Sequence, residues 1–406
     1  MGCTLLHAVA GVWQASSISV FSIIITTIFV LSPNRPRLGD AAILLRTASV
    51  YPRTFRLRHN ILVKTLCLPL VAAALLSAQA PRVDDIEFYG LHKLPEQKLL
   101  HTLHVKPGDP LPPSKGDLED ELAQIPGVVL ARVEAVCCDQ GKTTLFIGIE
   151  EKGAAHLAFR SPPSGGAVLS EDVTNTYRKF LEAVRDAAHR GSTAEDLTNG
   201  HSLMADPDAR DLQFQFADFA GAHLPLLREV LRDSDEAEQR AIAATVIGYA
   251  PNKKEVVNDL AYALQDPGDA VRANALRSLN AIAVLARLQP QLGIHVPPTW
   301  FVEMLNSIVL SDRTRAANVL VTLTDQDAAT LDQIRDRALD SVVEMAQWKV
   351  LRYALPPFIL VGRLAGMNEQ EIQKAWTGGD RQAAIGLALG SKAKKKPDMG
   401  PANKIE

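Results

Sequence analysis

The chain has 406 residues, 47% of them hydrophobic and 22% charged, with a formal net charge of −3. That composition fits a globular protein of two or three domains and excludes both wholesale disorder and a many-span membrane protein. The charge is uneven: residues 1–80 hold seven Lys/Arg against Asp40 alone, leaving 36 against 45, a net −9, in residues 81–406. An acidic body argues against a nucleic-acid partner, which selects a basic footprint.

The N-terminal region reads as targeting sequence. Arg56, Arg58 and Lys64 flank an apolar core, Leu66 to Leu76, that ends in the small residues Ser77-Ala-Gln-Ala80, so residues 61–80 are expected to be a signal peptide or membrane anchor. Pro81 makes the Ala78-x-Ala80 site a poor cleavage substrate. Two readings fit residues 1–60. In one, residues 5–31 and 61–80 form a two-helix hairpin whose basic loop stays cytoplasmic. In the other, residues 1–60 are a mis-called extension and a signal peptide opens near Val63. Both place residues 81–406 outside the cytoplasm, in the periplasm or on its side of the inner membrane. Cys137-Cys138 are either a vicinal disulfide or, the preferred reading, one core-facing and one solvent-facing residue on a strand.

Residues 83–152 spell strand, helix, helix, strand, strand. Val83 to Tyr89 alternates and stops at Gly90; Leu94, Leu99, Leu100 and Leu103 follow helical spacing; Ser114 can cap a second helix carrying Leu118, Leu122 and Ile125. Val129 to Cys137 alternates, Gln140-Gly-Lys142 turns, and Leu145, Ile147 and Ile149 supply the last strand. This order, with Ile86-Glu-Phe-Tyr-Gly90, Pro107-Gly-Asp109, Gly127-Val128 and Leu145-x-Ile-x-Ile-Glu150, resembles the polypeptide-transport-associated (POTRA) domain. The resemblance implies an α+β envelope domain that binds polypeptides, often by strand addition, with Val129–Cys137 as edge strand and Arg132 and Glu134 facing out. Only one such domain is present, and no run of barrel strands follows it.

Ser161-Pro-Pro-Ser-Gly-Gly166 has linker composition, and residues 153–222 are expected to link and cap, with a helix opening at Ser170 and loop over 191–212. Phe214, Phe216 and Phe219 read as array core. From about 223 to 390 a weak repeat appears: Leu264-Gln-Asp-Pro-Gly-Asp-Ala-Val-Arg272 echoes Leu231-Arg-Asp233 to Arg240, and Leu310-Ser-Asp312-Arg-Thr-Arg315 is a looser copy. Leu331 to Trp348, Leu351 to Leu364 and Glu369 to Trp376 continue it, with a break expected at Pro356-Pro357. These segments resemble HEAT repeats, which implies an all-α solenoid and an Asp/Arg ladder here formed by Asp233/Arg240, Asp266/Arg272 and Asp312/Arg315. Residues 391–406 are expected to be a disordered tail.

No phosphate-cradling, nucleophile-elbow or zincin motif occurs. His101-x-x-His104 lacks completing ligands, and the carboxylates around Asp206 and Asp208 lack the glycine and glutamate of a calcium loop. The sequence therefore predicts a non-enzymatic scaffold for proteins or extended polypeptides, with no catalytic, cofactor or metal residue and with membrane association through residues 5–31 and 61–80. Some HEAT-like proteins are chromophore lyases, so an enzyme or accessory protein acting on a cofactor is the alternative, by fold analogy alone.

Overall fold

The computed structural model describes residues 81–394 apart from 140, 141, 155 and 326. The expected targeting segments, the tip of the 140–141 turn and the tail from 395 lie outside the described residues. Among the described residues no helix is long and apolar enough to cross a membrane.

The chain opens with β1 (Asp85–Tyr89), α1 (Glu96–Thr102), α2 (Lys115–Ala123), β2 (Val128–Asp139) and β3 (Lys142–Glu151). Ser114 caps α2 by accepting from the Asp117 N–H at 3.2 Å. The sheet order is β1-β3-β2, β1 running parallel and β2 antiparallel to β3. One face, with Ile86, Phe88, Val133, Leu145, Ile147 and Ile149, meets Leu99, Leu118 and Leu122 of the two helices. The other face, carrying Tyr89, Phe146 and Val136, belongs to the core of the helical array. β3 is thus buried on both sides, and its near-continuous apolar run follows from that. Cys137 is exposed and disulfide-bonded, which corrects the expectation of unlinked cysteines.

After an extended stretch over residues 156–170 come α3 (Glu171–His189), a two-residue hairpin of β4 (Glu195–Asp196) and β5 (Leu203–Met204), and α4 (Pro207–Asp233). The expected loop over 191–212 is therefore partly hairpin and helix. Asp206 accepts from the Ala209 N–H and Pro207 takes the first helical position, where its missing N–H costs nothing. α4 is kinked at His223, two residues before Pro225, whose ring cannot follow the preceding turn. Phe216 is fully buried against Phe180 and Tyr249, whereas Phe214 is exposed.

The array proper holds α5 (Ala237–Ile247), α6 (Lys253–Ala263), α7 (Asp269–Leu288), α8 (Thr299–Met304), α9 (Leu310–Leu323), α10 (Ala328–Arg337), α11 (Leu339–Ala346), α12 (Leu351–Leu364), α13 (Glu369–Thr377) and α14 (Arg381–Lys394). Helices α5, α7, α9 and α12 pack in succession as one layer. Residues 331–348, expected to continue the array, do so as α10 and α11, divided where Ala338 leaves helical geometry at φ −141°. The break expected at Pro356-Pro357 is corrected: α12 runs through both. The amide bonds these prolines forgo would have gone to the carbonyls of Arg352 and Tyr353 in the first turn, and both rings are buried in the core.

Candidate functional site

Sequence alone places an arginine near the start of each repeat helix; the structure shows what each does. Arg240 donates from Nη1 to the carbonyls of Ser234 and Asp235, closing its own turn, and grips both oxygens of Asp266 in the next repeat at 2.8 and 2.9 Å. Arg272 repeats the pattern one unit on, with the Asp266 and Pro267 carbonyls behind it and the Asp312 carboxylate ahead at 2.8 Å. Arg313 continues it through the Ser307 carbonyl and Glu344. Burial opposes the charge of Arg272, but Asp312 and Asp269 outweigh it and hold the guanidinium above its ordinary range.

The ladder thus differs from the expected pairing. Asp266 gives Arg272 its carbonyl and Arg240 its carboxylate. Arg313, not Arg315, is the third rung: the six-residue step from turn carbonyl to arginine, Ser234 to Arg240 and Asp266 to Arg272, recurs at Ser307 to Arg313, so the copy aligned from Leu310 is out of register. Arg315 is half-buried on α9 near Arg277 and Tyr353; burial, then Arg277, pushes it below its ordinary range, and it forms no ion pair among the described residues. Asp233 offers its carbonyl to the Gly165 N–H rather than its carboxylate to Arg240.

The small domain docks on this ladder. Tyr89 donates to the Ile308 carbonyl at 2.7 Å and lies under Arg313, 4.7 Å from guanidinium to ring centre. The Gly90 N–H donates to Glu344, and Lys349 pairs with Asp85 at 2.7 Å. Trp348 stacks edge-on to Tyr89 and Phe146, at 5.6 and 5.0 Å. Gly148 makes this approach feasible: a Cβ there would lie 2.2 Å from the Ile308 oxygen and 2.7 Å from the Tyr89 ring.

β2 is an edge of the sheet, and its outward groups are partly taken. The Val133 N–H donates to Glu119 at 2.9 Å, and the Cys137 carbonyl accepts from Arg352. Since alternate residues of an antiparallel strand point the same way, the Arg132 and Glu134 amides turn inward to β3. Their side chains leave the strand on the face opposite Val133 and reach around its edge to α2: Arg132 lies 3.6 Å from Glu119 and Glu134 3.6 Å from Lys115. Arg132 also lines a cleft of about 530 Å³ between the start of β2, the chain after β3 and the α10–α11 corner. Leu130, Leu157, Ile308 and Val309 give the cleft apolar lining, and Lys93, Lys152, Arg337, Glu150 and Asp336 charged lining of both signs. Glu151 stabilises one wall: burial works against its charge, but the His92, Lys93 and Leu94 amides donate to it and hold its carboxyl below the ordinary range. Nothing in the sequence flagged that role.

A second polar cluster fastens the β4–β5 hairpin. Ser202 donates to Glu195, Arg277 pairs with Glu195 at 2.6 Å, and Tyr249 donates to the Ser202 carbonyl. Burial pushes Lys253 down to about 8 and, with Lys253 adding, His201 down to about 4. Lys253 spends its ammonium on the Gly248 carbonyl, so the cluster holds a hairpin to helices. His104 sits against Glu121 on the far side of the small domain, and no group of three metal-ligating side chains converges among the described residues.

Residues 224–291 match the HEAT repeats family, a stretch that includes Arg240 and Arg272. No curated protein matches the chain. Among solved structures, a designed armadillo repeat protein is 15% identical with a TM-score of 0.31, covering 46% of this chain and 93% of its own. Computationally designed armadillo repeat proteins for modular peptide recognition are also similar, at 15% identity and a TM-score of 0.30, over 45% of this chain and 93% of theirs.

Proposed function

We propose that this helical-repeat protein is an exported, non-enzymatic scaffold of the bacterial cell envelope, in which a POTRA-like domain and a HEAT-like array together hold an extended polypeptide. The POTRA-like reading is supported by the element order β1, α1, α2, β2, β3 over residues 85–151. Export is supported by the basic flank and apolar core of residues 56–80. The observation that carries the binding role is the cleft beside β2. Its lining mixes apolar side chains with charges of both signs, which favours a polypeptide over a small ligand of one charge.

Fluorescence anisotropy with a labelled, reduced and carboxymethylated model protein tests the binding role. The chain is expected to bind it saturably, and Ser341→Trp, which fills the cleft from α11, to weaken binding at least tenfold. No binding, or binding that ignores Ser341→Trp in a folded variant, overturns it. A fusion of residues 1–90 to a reporter active only outside the cytoplasm tests export separately, and a well-expressed but inactive reporter counts against it.

A further inference from the structure

The stretch between the small domain and α3 has the composition of a loose linker, yet it is bound along its length. Phe159 lies under Arg272, 3.9 Å from guanidinium to ring centre. The Arg160 N–H donates to the Gln265 carbonyl at 2.9 Å, and its guanidinium stacks on Tyr262, as does Arg232. Gly165 donates its N–H to the Asp233 carbonyl and accepts from the Asp235 N–H, both at 2.8 Å, in a parallel bridge to Ser234. A Cβ at Gly165 would lie 2.0 Å from the Asp233 carboxylate. Leu169 then donates its N–H to Gln239.

Three properties of this contact belong to peptide recognition. It uses main-chain hydrogen bonds to an extended chain, which any sequence can make. It reads side chains at fixed steps: an aromatic ring on a ladder arginine, an arginine on a tyrosine face, and a glycine where the wall allows no side chain. Finally, Pro162 and Pro163 pre-set the intervening backbone, lowering the entropy lost on binding. The surface that makes these contacts is built from the turns before α5 and α7, which the ladder hydrogen bonds of Arg240 and Arg272 also hold.

We propose that the turns carrying Asp233–Asp235 and Gln265–Arg272, with Tyr262, form an extended-peptide site that residues 158–166 fill in cis, and that its partners in trans are extended polypeptides with an aromatic-arginine pair followed by prolines and glycine. This site adjoins the cleft beside β2, sharing Phe159, Pro267, Asp269 and Arg272 with its lining, and goes beyond that binding role along the turns of Asp233–Asp235 and Tyr262. A tethered segment of this length acts at an effective concentration of millimolar order, so a free chain competes only when the segment is displaced.

The test uses a labelled peptide of residues 156–167 and the full chain with residues 158–166 replaced by Gly/Ser of equal length. The peptide is expected to bind the replaced chain saturably and the native chain at least tenfold more weakly. Peptides carrying Arg160→Ala or Gly165→Val should not compete. Failure of the peptide to bind a replaced chain that melts cooperatively overturns the proposal, as does equal binding of the Arg160→Ala peptide. Should the replaced chain not fold, Gly165→Val in the intact chain releases the segment locally and is expected to admit the peptide; exclusion there also overturns it. Dimerisation of the native chain that vanishes on replacing 158–166 would make the occupant the segment of a second copy and likewise overturn the assignment. Ser341→Trp alters the end of the cleft at α11, whereas the peptide test reads Arg160 and Gly165, which lie outside the cleft's lining, so each reading has its own failing result.

Discussion

The small domain and the helical array handle buried charge in opposite ways. In the small domain the least exposed carboxylate among the described residues, Glu151, accepts from main-chain amides of the turn after β1. In the array, Asp266 and Asp312 face Arg240 and Arg272, all four at 2% exposure or less. The reason lies in what each architecture already supplies. A sheet fixes the offset of its strands by a main-chain ladder, so side chains need only fill space. Stacked helices exchange no main-chain hydrogen bonds, and their apolar faces tolerate sliding, so an arginine bonded to its own turn and to the next repeat's acid sets the stagger. Buried pairs of this kind are expensive to break and add little net stability, which suits a role in register.

The largest expected effect breaks the array side of this contrast. Asp266→Ala leaves the guanidinium of Arg240 buried without its carboxylate and should cost about 3 to 5 kcal/mol in denaturant titration. The double variant Asp266→Leu with Arg240→Leu should recover most of that loss while broadening the transition, if the pair sets register rather than stability. A double variant as unstable as the single one would contradict this.

Gly148→Val attacks the junction between the two regions, since its side chain meets Tyr89 and the Ile308 carbonyl. A loss of about 1 to 3 kcal/mol is expected. Trp348, deprived of Tyr89 and Phe146, should show red-shifted emission, and the chain should become cleavable near residue 156. Unchanged emission would mean that the docked arrangement is not held at this point.

A pH dependence sharpens the same junction. Burial pushes Glu87 up to about 7, against the opposing effect of Lys349, whose N–H it accepts. Between about 4.5 and 7 the folded chain therefore holds a proton that the unfolded chain releases, and stability falls as pH rises through that window. Glu87→Gln should flatten this slope and leave the variant the more stable at pH 8, by on the order of 1 kcal/mol after screening. Parallel urea curves at pH 5 and 8 that do not differ between the two proteins would rule it out. The smallest effect is expected at the rim of the small domain: Arg132→Ala and Glu134→Ala each remove a partly exposed pair and should cost about 1 kcal/mol or less by thermal melting.

Much of the secondary structure was legible because local rules decide it. Ser114 capped α2 as its position indicates, and the alternation of Val129 to Cys137 marked β2. Signals for the start of α4 (Asp206 before Pro207) and for α13 (Asn368 with Glu371, a capping box) were present and went unread. Aligning the third copy from Leu310 hides the third ladder arginine: the step from Leu264 to Arg272 recurs from Leu305 to Arg313, and the Ser307 carbonyl confirms that register.

By itself the sequence determined most of the strands and helices, because capping and periodicity act within a few residues, though not the hairpin and helix within 191–212 or the helix through Pro356 and Pro357. It also indicated that a helical array follows a small α+β domain, because the Asp/Arg turn pattern recurs between amphipathic helices that must stack to bury their faces. Only the tertiary structure decided what those elements touch. Phe146 and Phe88 are both aromatic strand residues, yet one packs on the array and the other on α1 and α2. Ser161 to Gly166 reads as a flexible linker by composition, yet its backbone lies on the repeat turns because Gly165 alone can approach Asp233. These outcomes depend on groups distant in sequence meeting in space, Phe146 with Trp348 and Gly165 with Asp233, and no local pattern carries that information.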